Sequence, residues 1–206
     1  MTCCGKVICH GCICTMKKSG GGEEICPFCR TPDVFYQEHV ERVNKLMEKG
    51  NANAFNHLAG FYAEGINGMR QDYQKANELF LKAGELGYAE AYFNLGLSYQ
   101  NGDAVEVDMK KAKHYFELAA MGGHVGARTN LGCIEGQAGN YDRAYKHFVI
   151  GARAGDDLSL ENVKRGYKYG LVTKDEYADT LRVYLERQKE MKSDERDKAA
   201  AARNQL

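Results

Sequence analysis

Seven of the eight cysteines lie within the first 29 residues, in the order Cys3-Cys4-x4-Cys9-x2-Cys12-x-Cys14-x11-Cys26-x2-Cys29. A deprotonated thiol is a nucleophile and a metal ligand. The N-terminal residues show no apolar secretory core, so a reducing setting is expected, where clustered thiols bind metal more often than they pair as disulfides. Two sulfurs separated by two residues can bend round one tetrahedral Zn²⁺, and two such pairs complete a four-sulfur shell. Spacing alone therefore allows one site from Cys9, Cys12, Cys26 and Cys29, or simply free thiols in a small loop. Gly11 and Pro27 are turn-formers within the pairs. Cys14 reads as a small apolar residue on a short helix after Cys12, and His10 as an exposed loop residue.

The rest of the chain carries no hydrolase or kinase constellation. His57, His114, His124 and His147 occupy ordinary repeat positions, and Cys133 replaces a leucine in the alignment below, which reads as a buried core thiol. Lys plus Arg and Asp plus Glu balance at 28 each, which argues against a nucleic-acid partner. No run of about 18 apolar residues is present, so no membrane span is expected. The expected setting is intracellular and soluble, cytoplasm and nucleus being undistinguished.

The elements that would position any site come from the body. Both prolines, Pro27 and Pro32, precede residue 33, and long helices are favoured after it. Ala54-Phe55-Asn56-His57-Leu58-Ala59-Gly60 aligns with Ala91-Tyr92-Phe93-Asn94-Leu95-Gly96-Leu97 and with Ala127-Arg128-Thr129-Asn130-Leu131-Gly132-Cys133, at offsets of 37 and 36 residues. A second block follows each: Asp72 to Ala76, Asp108 to Ala112, and Asn140 to Ala144. Phe80, Phe116 and Phe148 come four residues after those alanines, and Ala83, Ala119 and Gly151 seven after, which is one helical face. Asp72, Asp108 and Asn140 are N-cap types, and Gly87, Gly123 and Gly155 suit the left-handed residue that closes a helix. Each unit thus reads as helix A, turn, helix B, turn. The predicted fold is an all-α solenoid, since one such unit buries its apolar face only by stacking on a neighbour. Ala76, Ala112 and Ala144 are predicted to let helices A and B approach closely.

These blocks resemble the Sel-1-like repeat, a relative of the tetratricopeptide repeat. The likeness rests on Leu-Gly in helix A, on Lys75-Ala76 and Lys111-Ala112 opening helix B, and on the closes Ala83-Gly84-Glu85-Leu86-Gly87 and Ala119-Ala120-Met121-Gly122-Gly123. In the third unit Arg143 replaces the lysine and the middle turn is shorter. The resemblance covers residues 51–155 and implies a scaffold that binds an unknown protein, not an enzyme. The solitary Cys133 departs from secreted members that carry a disulfide in each repeat. Repeats are assigned to 51–87, 88–123 and 124–155, with a linker and capping helix over 35–50 and a degenerate fourth pair over 156–186. There Val163, Tyr167 and Gly170 match Leu95, Tyr99 and Gly102, and Thr173 to Glu176 offers a capping box. Residues 187–206 read as a charged helical or disordered tail whose apolar stripe ends at Leu185.

Residues 1–34 are similar to the second half of a RING-type zinc finger, on Cys4-Gly5-Lys6-Val7-Ile8-Cys9-His10-Gly11-Cys12 and Ile25-Cys26-Pro27-Phe28-Cys29-Arg30. That family interleaves its ligand pairs. The resemblance implies one closed Zn²⁺ site from Cys3, Cys4, Cys26 and Cys29, with Cys9 and Cys12 left as an incomplete site. Lys6 stands where the family often has histidine, so adjacent Cys3 and Cys4 must serve. It further implies a ubiquitin-conjugating enzyme as partner, met by Pro27, Arg30 and Met16. The reading is a zinc-binding adaptor, a ubiquitin ligase if a first ligand pair lies upstream; the alternative is a non-catalytic scaffold with a structural zinc cap.

Overall fold

The computed structural model describes residues 36–67, 69–103 and 106–191, and all nine regular elements among them are α-helices. They fall into two compact units that meet in sequence between Leu86 and Gly87, and each is taken by itself. No described helix is long and apolar enough to cross a membrane.

The first unit holds α1 (Tyr36–Glu48), α2 (Ala52–Glu64) and α3 (Tyr73–Glu85). Val43 of α1 is buried with Ala54, Leu58 and Phe61 of α2, and Val40, Leu46 and Met47 pack on this cluster. Asn51 caps α2 through the Ala54 amide at 3.1 Å, and Asp72 caps α3 through the Lys75 amide at 3.0 Å. Such caps satisfy donors that the first helical turn leaves open.

The second unit holds α4 (Ala89–Asn101), α5 (Met109–Met121), α6 (Val125–Gln137), α7 (Tyr141–Arg153), α8 (Asp157–Lys168) and α9 (Lys174–Met191). Its cores repeat one arrangement. Ala112 and Ala144 are fully buried, as is Ala76 in the first unit. Each helix B phenylalanine lies on a helix A glycine. A Cβ on Gly96 would stand 2.6 Å from the Phe116 ring, and one on Gly132 2.5 Å from the Phe148 ring. Glycine is needed there for close approach rather than for backbone freedom. Gly87, Gly123 and Gly155 have φ of +89°, +87° and +98°, the left-handed conformation that turns each helix B into the next helix A.

Three expectations need correction. Asn140 does not cap α7 with its side chain; its amide instead donates to the buried Glu135 carboxylate at 2.8 Å, because a buried carboxylate needs donors more than an exposed helix end does. Cys133 is exposed rather than buried. Gly132 beside it takes the inward place under Phe148, so Cys133 turns outward. Finally, contact does not end at Leu185. Met191 and Arg187 lie over Gly155, and the Gln188 amide donates to the Gly155 carbonyl at 3.1 Å. Polar and long flexible side chains do this packing, and a search for an apolar stripe passes over them.

In the fourth helix pair Tyr177 stands where the other repeats have alanine. Close approach gives way to a ring stack, with Tyr167 and Tyr177 at 4.9 Å and 7°. Thr173 caps α9 through the Glu176 amide at 3.2 Å.

Candidate functional site

The predicted metal ligands Cys3, Cys4, Cys9, Cys12, Cys26 and Cys29 lie outside the described residues, as do Met16, Pro27 and Arg30. Among the described residues no three His, Cys, Asp or Glu side chains gather as a metal site. The functional surface that the structure does describe belongs to the repeats.

Helices α4 and α6 each turn one face away from their helix B partner. On α4 it carries Glu90, Asn94 and Asn101, and on α6 Gly126, Asn130, Cys133 and Gln137; Glu90, Asn101, Cys133 and Gln137 are exposed, whereas Leu97 beside them packs against the α5–α6 core. The face is rich in amides and almost free of charge. Glu90, its one carboxylate, is engaged by His124 Nε2 at 3.0 Å. That hydrogen bond holds the Glu90 carboxyl below the usual carboxylate range, against the opposing effect of burial. The α8 helix differs, since its exposed residues include Glu161, Lys164, Arg165 and Lys168.

His124 also orders the junction between repeats two and three. Its Nδ1 accepts from the Ala127 amide at 3.1 Å, which caps α6, and its ring stacks on Phe93 with centroids 4.1 Å apart. An accepting Nδ1 carries no proton, so Nε2–H donates to Glu90. The next junction uses hydroxyls. Thr129 Oγ1 meets Ser159 Oγ at 2.7 Å and donates to Asp156 at 2.9 Å, and Asp156 caps α8 through the Ser159 amide at 2.7 Å. The sequence places His124 at an ordinary repeat position and gives Thr129 no role beyond the repeat alignment. His124 sits at an N-cap position one residue after a helix-closing glycine, and that was the signal available.

Within the repeats a second contact recurs. Lys75 Nζ lies 4.8 Å from the Tyr62 ring centroid, and Lys111 Nζ 5.1 Å from that of Tyr99. Cation–ring attraction thus ties the first turn of helix B to the last turns of helix A. In repeat three the pair becomes Arg143 and Glu135. Glu135 is almost wholly buried and binds Lys113 at 2.6 Å as well as Asn140. Lys113, then Asn140, hold its carboxyl below the usual range.

Three consecutive segments, residues 54–88, 89–124 and 126–156, match the Sel1 repeat family. Residues 54–156 are three Sel1 repeats. A solved Sel1 repeat protein from Oxalobacter formigenes superposes with a TM-score of 0.63 at 23% identity, over 72% of this chain and 64% of that one. A protective antigen of uropathogenic Escherichia coli, described as displaying an SLR fold, gives 0.61 at 29% identity, over 74% of this chain and 33% of the other. The architecture is therefore an all-α solenoid of Sel1 repeats. Among curated proteins, an exopolysaccharide production negative regulator of Rhizobium meliloti is 30% identical over 129 residues, 60% of this chain and 48% of that protein. An ERAD-associated E3 ubiquitin-protein ligase component of Arabidopsis thaliana, HRD3B, is 35% identical over 88 residues, 42% of this chain and 13% of that protein. The chain thus spans about half of the first relative's length and a small part of the second's. Sel1 repeats mediate protein–protein interaction, and this segment is such a scaffold.

Proposed function

We propose that the chain is a non-catalytic interaction scaffold whose Sel1 repeats hold a protein partner against the outer faces of α4 and α6. The observation that carries this reading is the amide-rich, nearly uncharged face beside the charged α8. Exposed Asn101 and Gln137 and half-buried Asn130 offer both donors and acceptors. Such a face suits an uncharged polypeptide segment, whose own amides pair with it and which brings no charge to desolvate. The test is affinity capture by the full chain against the double variant Asn101→Glu, Gln137→Glu, at two exposed positions. A protein retained by the native chain and lost by the variant, at unchanged melting temperature, supports the reading. An identical set of captured proteins moves the interaction to another surface.

The cysteine-rich head favours a second reading. Four thiolates, Cys3, Cys4, Cys26 and Cys29, are a suitable donor set for one structural Zn²⁺, and Cys9 with Cys12 would need two further ligands. A RING-type ubiquitin ligase would use such a head to recruit a charged conjugating enzyme through Pro27, Arg30 and Met16, with the repeats selecting the substrate. The partial match to a ubiquitin-ligase component is compatible with both readings, since it falls within the scope of a scaffold subunit. Zinc analysis and discharge of a ubiquitin-charged conjugating enzyme separate them. Bound zinc without discharge is the scaffold outcome; discharge that Arg30→Ala reduces without altering zinc content is the ligase outcome.

A further inference from the structure

Superposing the repeats on their own alignment exposes one substituted layer. In repeat two, Tyr115 of α5 stacks between Tyr92 and Tyr99 of α4, with centroids at 6.2 and 5.5 Å and planes within 21° and 15°. The matching residues of repeat three are Arg128 and Glu135 of α6 and His147 of α7. Three aromatic rings are replaced by a cation, an imidazole and a carboxylate. We propose that this layer makes repeat three an acid-sensitive latch, in which protonation of His147 loosens the packing of α6 on α7 while repeat two stays closed.

The geometry supports this in three ways. His147 Nδ1 is buried without a hydrogen-bond partner, so a proton added there meets no acceptor. The charges that act on the ring come from Lys113 and Glu117 of α5 and from Arg128 and Glu135 of α6. On α7 itself Arg143 acts on Glu135; α8 and α9 also pack on α7, and the charges that weigh most on the ring are those from α5 and α6. Glu135, one of the two carboxylates, is already held by Lys113 and Asn140. An imidazolium would therefore be a further positive charge among Lys113, Arg128 and Arg143.

Burial, and then Arg128, push the imidazole below its ordinary value, while Glu135 and Glu117 pull the other way. The unfolded or opened segment thus binds the proton more readily than the closed one. Stability from the neutral ring is complete above the ordinary histidine value of about 6.5 and declines as pH falls through it. The Glu135 contribution has the opposite origin and is lost only at lower pH, below the ordinary carboxylate value of about 4.3. The two windows are separable.

Hydrogen–deuterium exchange of the full chain at pH 7.5 and 5.5, corrected for intrinsic exchange, tests the latch. Peptides from residues 125–153 should open several-fold more at pH 5.5, and those from 89–121 should not. His147→Gln should flatten the response, and His114→Gln, at an exposed position of repeat two, should leave it. Equal responses in the two repeats overturn the proposal, as does a response that survives His147→Gln or disappears in His114→Gln. Should His147→Gln fail to fold, the His147 ring-proton titration in the native chain decides instead. A midpoint at or above that of an exposed histidine removes the latch.

Discussion

Repeats two and three share one plan and differ in how they fill it. Both seat a phenylalanine on a glycine, and both bury an alanine where helix B begins. Repeat two completes the A–B contact with the Tyr92–Tyr115–Tyr99 stack and Lys111 over Tyr99. In repeat three the matching positions hold Arg128, Glu135 and His147, and Glu135 binds Asn140 and, from α5, Lys113. Aromatic stacking keeps its strength across ordinary pH, whereas a buried ion group depends on the protonation of every member. The family plan therefore sets the backbone and the apolar seat, and the layer around that seat is free to carry a different chemistry.

The shared seat gives the largest expected effect. Phe116→Ala and Phe148→Ala should each cost about 3–5 kcal/mol, read from urea unfolding. A much smaller loss for Phe148→Ala would break the comparison by showing that polar contacts carry repeat three.

Overpacking comes next. Gly132→Ala and Ala112→Leu should each cost about 1–3 kcal/mol. Repeat one bears Ala59 in the glycine column, buried beside a slightly more exposed Phe80, so Gly132→Ala should sit toward the lower end. An unchanged melting temperature for Ala112→Leu would refute the close approach of α4 and α5.

Glu135→Gln addresses the polar layer alone and should cost about 1–3 kcal/mol at pH 7. The loss is moderated because Lys113 remains partly in water and keeps its own hydration. The folded carboxyl is held below its ordinary value, so the native advantage over the variant is present above about pH 4.3 and shrinks as pH falls through the folded value. An advantage that grows on acidification would reverse the assignment of Glu135 as a buried anion. No comparable acid dependence is expected from Tyr99→Phe in repeat two.

The smallest effect lies at the end of the array. Gln188→Ala removes the bond to the Gly155 carbonyl and should cost about 0.5–1.5 kcal/mol in thermal unfolding. No change would return this stretch of α9 to the frayed tail that its composition describes.

The repeat period, the helix B stripe, the buried alanines and the left-handed glycines at 87, 123 and 155 were legible in the residues, because each answers to local geometry: a helical face, a close contact or a positive φ. Two of the three aligned N-caps were legible for the same reason. Asn140 was not, since its choice between a helix end and Glu135 depends on a carboxylate buried by packing. Cys133 was misread because substitution for a leucine says nothing about which of two adjacent residues turns inward, and the Phe148 ring made that choice by occupying the space over Gly132. The His124–Glu90 pair and the Thr129–Ser159 contact join side chains 34 and 30 residues apart. Their partners are set by how one helix A lies on the next, and no local pattern encodes that. The metal chemistry proposed for the first 34 residues rests on sequence alone, on thiol type and spacing. The chemistry between repeats belongs to the tertiary structure, because desolvation and the distance between distant side chains exist only once the helices are stacked.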